Sequence, residues 1–375
     1  MSIYLDNAAT TQVCPEAAQA ALSAMREHYG NPSSTHRLGR EAKKLLDSSR
    51  AAVAKALGCE AQELYFTSCG SESDNWAIIQ GARYYRRGRH IITSRTEHDA
   101  VLKSMAYLEK EGFTVSYLTP EADGSIHTQA VLDALREDTA LISLMMVNNE
   151  TGAVTDIAGI AKAVRAAGSR AYLHTDAVQG FLKVPFSARK LGVDMISISG
   201  HKIHAPKGIG ALYIRQGLSL PPFIHGGSQE NGRRAGTEAM PQIAAFGAAA
   251  AVAAESMNEY TRRMADLRTM AVERLTEENE GLLVLGGGAP HILSLSLPGY
   301  RSEVLMNYLE SKDIFVSKSS ACKKGGRSHV LEAIGLAPKV IDGAIRIGLS
   351  RYTTQEDILA LCAALKEARS KLAHA

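Results

Sequence analysis

The chain has 375 residues, 45% hydrophobic and 22% charged, and its 42 basic and 39 acidic side chains leave a net charge of only +3. That length allows two domains of ordinary size, and the composition excludes disordered and fibrous classes. Without a dense Lys/Arg block, a leader of basic then apolar residues, or an apolar stretch of bilayer length, the chain reads as a soluble cytoplasmic protein with neither nucleic acid nor membrane as its partner.

From about Glu63 onward, short apolar or β-branched runs alternate with longer helical patterns. This alternation marks parallel strands joined by helical crossovers. Strands are predicted over Leu64–Thr67, His90–Thr93, Thr114–Leu118, Leu141–Val147, Ala171–Thr175, Met195–Ser199 and Gly210–Ile214. Helices are predicted over Ser73–Tyr85, Ala100–Glu111, Thr128–Arg136 and Ile157–Ala167. A ligand of such a sheet belongs beyond the carboxyl ends of its strands. After Pro241 one long helix, Gln242 to about Glu278, leads into a smaller α+β lobe. That lobe holds a strand at Ile292–Leu297, a helix around Glu303–Ser311, a strand at Ile314–Lys318 and a last helix from Thr354, and Ile3–Leu5 can join the lobe. The expected division is a large domain over residues 14–256 and a small domain over 257–375, with residues 1–13 joining the latter.

Chemistry-bearing residues gather at the predicted strand ends. Ser199-Gly200-His201-Lys202 delivers an amine at the end of a rigid element, beside hydroxyl and imidazole donors, so Lys202 is a candidate Schiff-base lysine for pyridoxal phosphate. Asp176 closes the strand before it and can face a pyridinium nitrogen, with Gln179 three residues on; alone, such an aspartate equally suits a helix cap. In Ser68-Cys69-Gly70-Ser71, a turn between strand and helix offers backbone N–H groups and a hydroxyl to a phosphate, or an ordinary helix cap with Ser71 at its head. His98 follows another strand end, where it can stack on a ring and move protons, and Asn149 offers an amide to the ring oxygen or the substrate, though turn chemistry explains an Asn-Asn pair equally well.

The five cysteines, Cys14, Cys59, Cys69, Cys322 and Cys362, form no C-x-x-C pair, so neither a zinc site nor a disulfide framework is indicated. Cys362 occupies an apolar helix position and reads as core, and Cys69 reads as structural. Cys322 lies in Ala321-Cys322-Lys323-Lys324-Gly325-Gly326-Arg327, where cations favour thiolate and glycines favour movement.

Taken in order, Tyr4-Leu5-Asp6-Asn7-Ala8-Ala9-Thr10-Thr11, Gly30-Asn31-Pro32-Ser33-Ser34, Thr96-Glu97-His98, Val147-Asn148-Asn149-Glu150, Ser199-Gly200-His201-Lys202, Arg234-Ala235-Gly236-Thr237 and Arg346-Ile347-Gly348-Leu349-Ser350-Arg351 resemble the cysteine desulfurases of the NifS/IscS class over nearly the whole chain. The resemblance implies an α/β aspartate-aminotransferase-like fold, pyridoxal phosphate fold type I, with a mainly parallel seven-stranded sheet. It implies Lys202 as the Schiff-base lysine, Asp176 at the pyridinium, Gln179 and Asn149 at the ring substituents, and His98 on the ring face. Gly70, Ser71, Ser199 and His201 would hold the phosphate, Thr237 would reach the phosphate of the neighbouring subunit in a homodimer, and Arg346 would hold the substrate carboxylate. Sulfur from L-cysteine would pass to Cys322 as a persulfide, leaving L-alanine, and then to an acceptor protein for iron-sulfur cluster assembly or for tRNA or cofactor thiolation. The chain departs from the usual Ser-Gly-Gly-Thr or Ser-Gly-Ala-Thr at Ser68-Cys69-Gly70-Ser71, and it ends soon after Lys371 without the longer tail that docks a scaffold in some members. Selenocysteine lyase, or another aminotransferase or lyase of the group, would share the lysine, aspartate and phosphate residues without needing Cys322. A non-catalytic subunit of the same fold is the alternative from another class.

Overall fold

A computed structural model describes residues 2–318 and 326–372. Seven strands form the main sheet in the order Leu64–Thr67, Gly210–Ile214, Met195–Ser199, Tyr172–Asp176, Thr139–Ser143, His90–Ser94 and Thr114–Leu118. All pairings are parallel except the two made by Gly210–Ile214. Every residue of the five strands between the outer two is buried, apart from half-buried Tyr172. Such strands, covered on both faces, read in sequence as continuous apolar runs rather than alternating ones.

Six of the seven strands end on one edge of this sheet, which places Thr67, Ser94, Ser143, Asp176 and Ser199 beside one another. The segments leaving that edge carry the chemistry. One is a continuous helical run opening at Gly70, whose Trp76–Gln80 turn is wound as a π-helix. Another is the helix Asp99–Lys110, capped by His98.

Two helices ahead of the sheet, Pro15–Arg26 and Arg37–Leu57, pack on the apolar helix Met240–Glu255. At that contact a Cβ on Gly247 would come within 2.8 Å of Ser49 Cα, so only glycine permits the approach. The expected single helix from Gln242 to Glu278 is two helices, Met240–Glu255 and Met257–Glu278, divided at Ser256 (φ −113°, ψ 14°). The division coincides with a change of environment: the first is buried nearly all round, whereas the second buries only Tyr260, Met264, Leu267, Ala271 and Leu275.

A four-stranded antiparallel sheet follows, in the order Ser317–Lys318, Ala344–Gly348, Ile292–Ser296 and Leu283–Val284. The predicted strand Ile314–Lys318 is split at Val316. Ile314–Phe315 pairs in parallel with the amino-terminal Ile3–Tyr4, and only Ser317–Lys318 joins the sheet. The amino-terminal segment is fastened by Leu5, wholly buried, whose carbonyl accepts from Gly348 N at 2.6 Å. Among the described residues no helix is long and apolar enough to cross a membrane, and no group of His, Cys, Asp or Glu could hold a metal ion.

Candidate active site

A cavity of about 270 Å³ opens where the strand ends meet the amino-terminal segment. Ten residues singled out in the sequence line it: Gly70, Ser71, His98, Asn149, Asp176, Gln179, Ser199, His201, Lys202 and Arg346. Thr237 does not; it is exposed on a separate loop. Cys322 lies outside the described residues.

Lys202 ends the short helical turn after Met195–Ser199, and its Nζ donates to the carbonyls of Ala8 (2.8 Å) and Ala9 (2.6 Å). The Ala8 carbonyl also accepts from Gln179 Nε2 at 2.8 Å, so one amino-terminal oxygen joins the two side chains. Asp176 is buried, and its Oδ1 accepts from Val178 N at 2.8 Å. Burial pushes its carboxyl upward, and His98, the Val178 N–H and Lys202 oppose this.

Sequence reasoning missed Asp74, which also lines the cavity, 1% exposed, with no hydrogen-bond partner for Oδ1 among the described residues. Burial, and then the charge of Asp176, push its carboxyl well above the carboxylate range. Two buried carboxyls in one site do not both ionise readily, and the charge of each disfavours that of the other. No sequence signal marks this pairing, because a helical aspartate four residues after Gly70 looks like a surface charge.

The expected head of the helix moves. Cys69, not Ser71, is its N-cap, and Cys69 makes no side-chain cap bond; it lines the cavity instead. A Cβ on Gly70 would meet Val178 Cγ2 at 2.8 Å, which explains glycine there. His98 Nδ1 accepts from Ala100 N at 3.1 Å, which puts the proton of the neutral ring on Nε2. Burial, with Lys202, Lys183 and Lys207 adding to it, pushes His201 down to about 3, so that imidazole is neutral. Arg346 is 2% exposed; it donates through Nη1 to the Asn149 carbonyl (2.8 Å) and through Nη2 to Asp6 Oδ1 (3.1 Å).

The profile of the family described as aminotransferase class-V matches residues 3–361. The chain belongs to that family. A curated relative named cysteine desulfurase IscS, from Methanosarcina thermophila, is 41% identical over 366 residues, covering 95% of this chain and 89% of the relative. Another of that name, from Serratia proteamaculans, is 42% identical over 368 residues, covering 96% and 90%. Among solved structures, a NifS-like protein superposes with a TM-score of 0.93 at 38% identity, covering 99% of this chain and all of its own. A structure titled SspA in complex with cysteine gives 0.81 at 33% identity, covering 94% and 100%.

Pyridoxal phosphate is the cofactor of this class-V family, and the donor set of the cavity fits it. Ser199 Oγ is buried without a hydrogen-bond partner among the described residues, next to the Gly70 turn, where a phosphate oxygen would satisfy it. The Asp176 carboxyl would suit a protonated ring nitrogen, whose charge would favour the carboxylate, and Lys202 stands within the same cavity.

Proposed function

We propose that this chain removes sulfur from L-cysteine, giving L-alanine and a persulfide on Cys322. The observation that carries the reading is the convergence of Lys202, Asp176, His98, Gln179, Ser199 and Arg346 on one cavity, together with cysteine desulfurase relatives spanning nearly the whole chain. Lys202, Asp176, Gln179, Asn149 and His98 would hold the ring, and Gly70, Ser71, Ser199, His201 and the neighbouring subunit's copy of Thr237 would hold its phosphate. When bound, the cofactor supplies an electron sink that loosens bonds at the α and β carbons of an attached amino acid.

The protein's own residues do the rest. Arg346, fixed by Asp6 and the Asn149 carbonyl, receives the substrate carboxylate and orients the amino acid. The Lys202 amine takes the proton from the substrate α carbon and returns one, and His98 serves as a second proton carrier at Nε2. The Cys322 thiolate attacks the substrate sulfur and forms the S–S bond as the C–S bond breaks, so that cysteine and a thiol become alanine and a persulfide.

The described ends of the Cys322 segment support its reach. Ser317 pairs with Arg346 in the small sheet. Ser328 donates to Glu150, and His329 Nε2 lies 3.1 Å from the Glu97 carbonyl, beside Asn149 and His98. Both anchors are thus neighbours of the site. Cys322 is four residues from Lys318 and from Gly326, a span of up to about 13 Å of extended chain from either side. A homodimer with shared sites, a cytoplasmic location and an acceptor protein for iron-sulfur assembly or thiolation complete the reading.

Lys202→Ala is expected to remove the visible absorbance band of the bound cofactor; a retained band rejects the lysine assignment. Cys322→Ala is expected to keep that band while sulfide release from cysteine stops, and mass spectrometry of the unaltered protein after cysteine should find one added sulfur on the Cys322 peptide. Turnover of Cys322→Ala at the unaltered rate would reject the persulfide route.

A further inference from the structure

Beside Gln179 lies a second buried group of side chains that the reaction as described does not use. Lys183 is 7% exposed, and its Nζ donates to Gln179 Oε1 at 3.2 Å. His291 is wholly buried, with Nε2 3.3 Å from the same oxygen. Gln179 then has both ends committed: its Oε1 faces Lys183 and His291, and its Nε2 donates to the Ala8 carbonyl that Lys202 also uses.

A carboxamide carries an acceptor at one end and donors at the other, and little in its own shape decides which way it points. Here the decision comes from outside. A lysine ammonium only donates and a backbone carbonyl only accepts, so a flipped Gln179 would bring its NH2 against a charged Lys183 and turn its oxygen toward the Ala8 carbonyl, opposing donors at one end and acceptors at the other. Burial pushes both the Lys183 amine and the His291 ring well below their ordinary values. An uncharged Lys183 could accept as well as donate, but the Ala8 carbonyl only accepts, so a flipped carboxamide would still set oxygen against oxygen there.

We propose that Lys183, aided by His291, is a positioning residue that fixes the Gln179 carboxamide with its N–H groups toward the cofactor cavity. Lys183 also borders a cleft of about 1030 Å³. The inference rests on the reading of the cavity as a pyridoxal phosphate site.

The test uses purified full-length protein and three readouts: cofactor dissociation constant, position of the visible band, and kcat and KM for cysteine. Lys183→Met removes the donor at similar length, and the cofactor is expected to bind about tenfold more weakly, with a shifted band. Lys183→Arg keeps a donor and is expected to come within about threefold of the unaltered protein. In a Gln179→Ala background, Lys183→Met is expected to add nothing, since its effect passes through Gln179. Unaltered affinity and band in Lys183→Met, or an undiminished further loss in the Gln179→Ala background, would overturn the proposal. Should Lys183→Met not fold, weak binding by well-folded Lys183→Arg would overturn it, and near-normal binding would support it. A protein that shows no cofactor band even with Lys183 in place would instead refute the reading beneath it.

Discussion

Glu97 shows how far a single residue departs from its sequence neighbours. His98 beside it faces the cavity, but Glu97 points inward, 1% exposed, where Oε1 accepts from Ser94 Oγ (2.6 Å) and Met145 N (3.1 Å) and Oε2 has no partner among the described residues. Burial raises its carboxyl to about 8, the two hydrogen bonds opposing the rise. The folded protein therefore keeps a proton that the unfolded chain releases above the ordinary value of 4.5. Its contribution to stability is fully present below that value and is lost as the pH rises through about 8. Glu97→Gln, which cannot ionise, should melt with a shallower decline than the unaltered protein between about pH 5 and pH 8. Some slope should remain, because Glu150 is raised to about 7, also by burial. Parallel melting curves across that range would show that Glu97 does not hold the proton.

At the scale of elements, the inner strands were legible because two covered faces leave a plain apolar signature; Met195–Ser199 and Gly210–Ile214 fall within their expected bounds. The strand predicted as Leu141–Val147 ends at Ser143, since the residues after it leave the sheet to line the cavity. The break at Ser256 was hidden because neither proline nor glycine marks it, and the split at Val316 because two partners on different sheets share one apolar run. The site was legible where a residue type sits at a strand end, as with Asp176 and Lys202. It was illegible where the meaning of a residue depends on what faces it through space, as with Asp74 and Lys183. Ile3–Leu5 belongs to the legible part, and its weight is measurable. Leu5 fills a closed space under the pairing with Ile314–Phe315, so Leu5→Ala should cost about 3 kcal/mol in chemical denaturation. A loss well below about 1 kcal/mol would mean that the segment is not a fastened part of the core.

At the scale of the whole molecule, the one site residue that lies outside the cavity among the described residues carries its own argument. Thr237 is exposed, yet its loop is held firmly. Arg234 donates to both oxygens of Glu72 on the helix that opens at Gly70 (2.8 and 3.1 Å). Upstream, Glu230 accepts from both ends of the Arg50 guanidinium (2.6 and 2.7 Å) and from Phe66 N (3.0 Å). Holding the loop this way takes left-handed backbone at Glu230 (φ 48°) and Asn231 (φ 57°), a conformation that non-glycine residues adopt at a cost. Such anchoring suits an arm that serves a partner copy in a twofold dimer, where each subunit completes the other's site. Two inactive variants then make a decisive pair. Lys202→Ala removes the amine, and Thr237→Asp, exposed in its own subunit, would place a charge against the phosphate in the proposed arrangement. In a hybrid dimer of the two, isolated by separate tags after co-expression, one site has both defects and the other has neither. If Thr237 serves the partner, the hybrid should recover about half the turnover of the unaltered dimer. If Thr237 serves its own subunit, each site in the hybrid keeps one defect, and the hybrid should be as inactive as either parent.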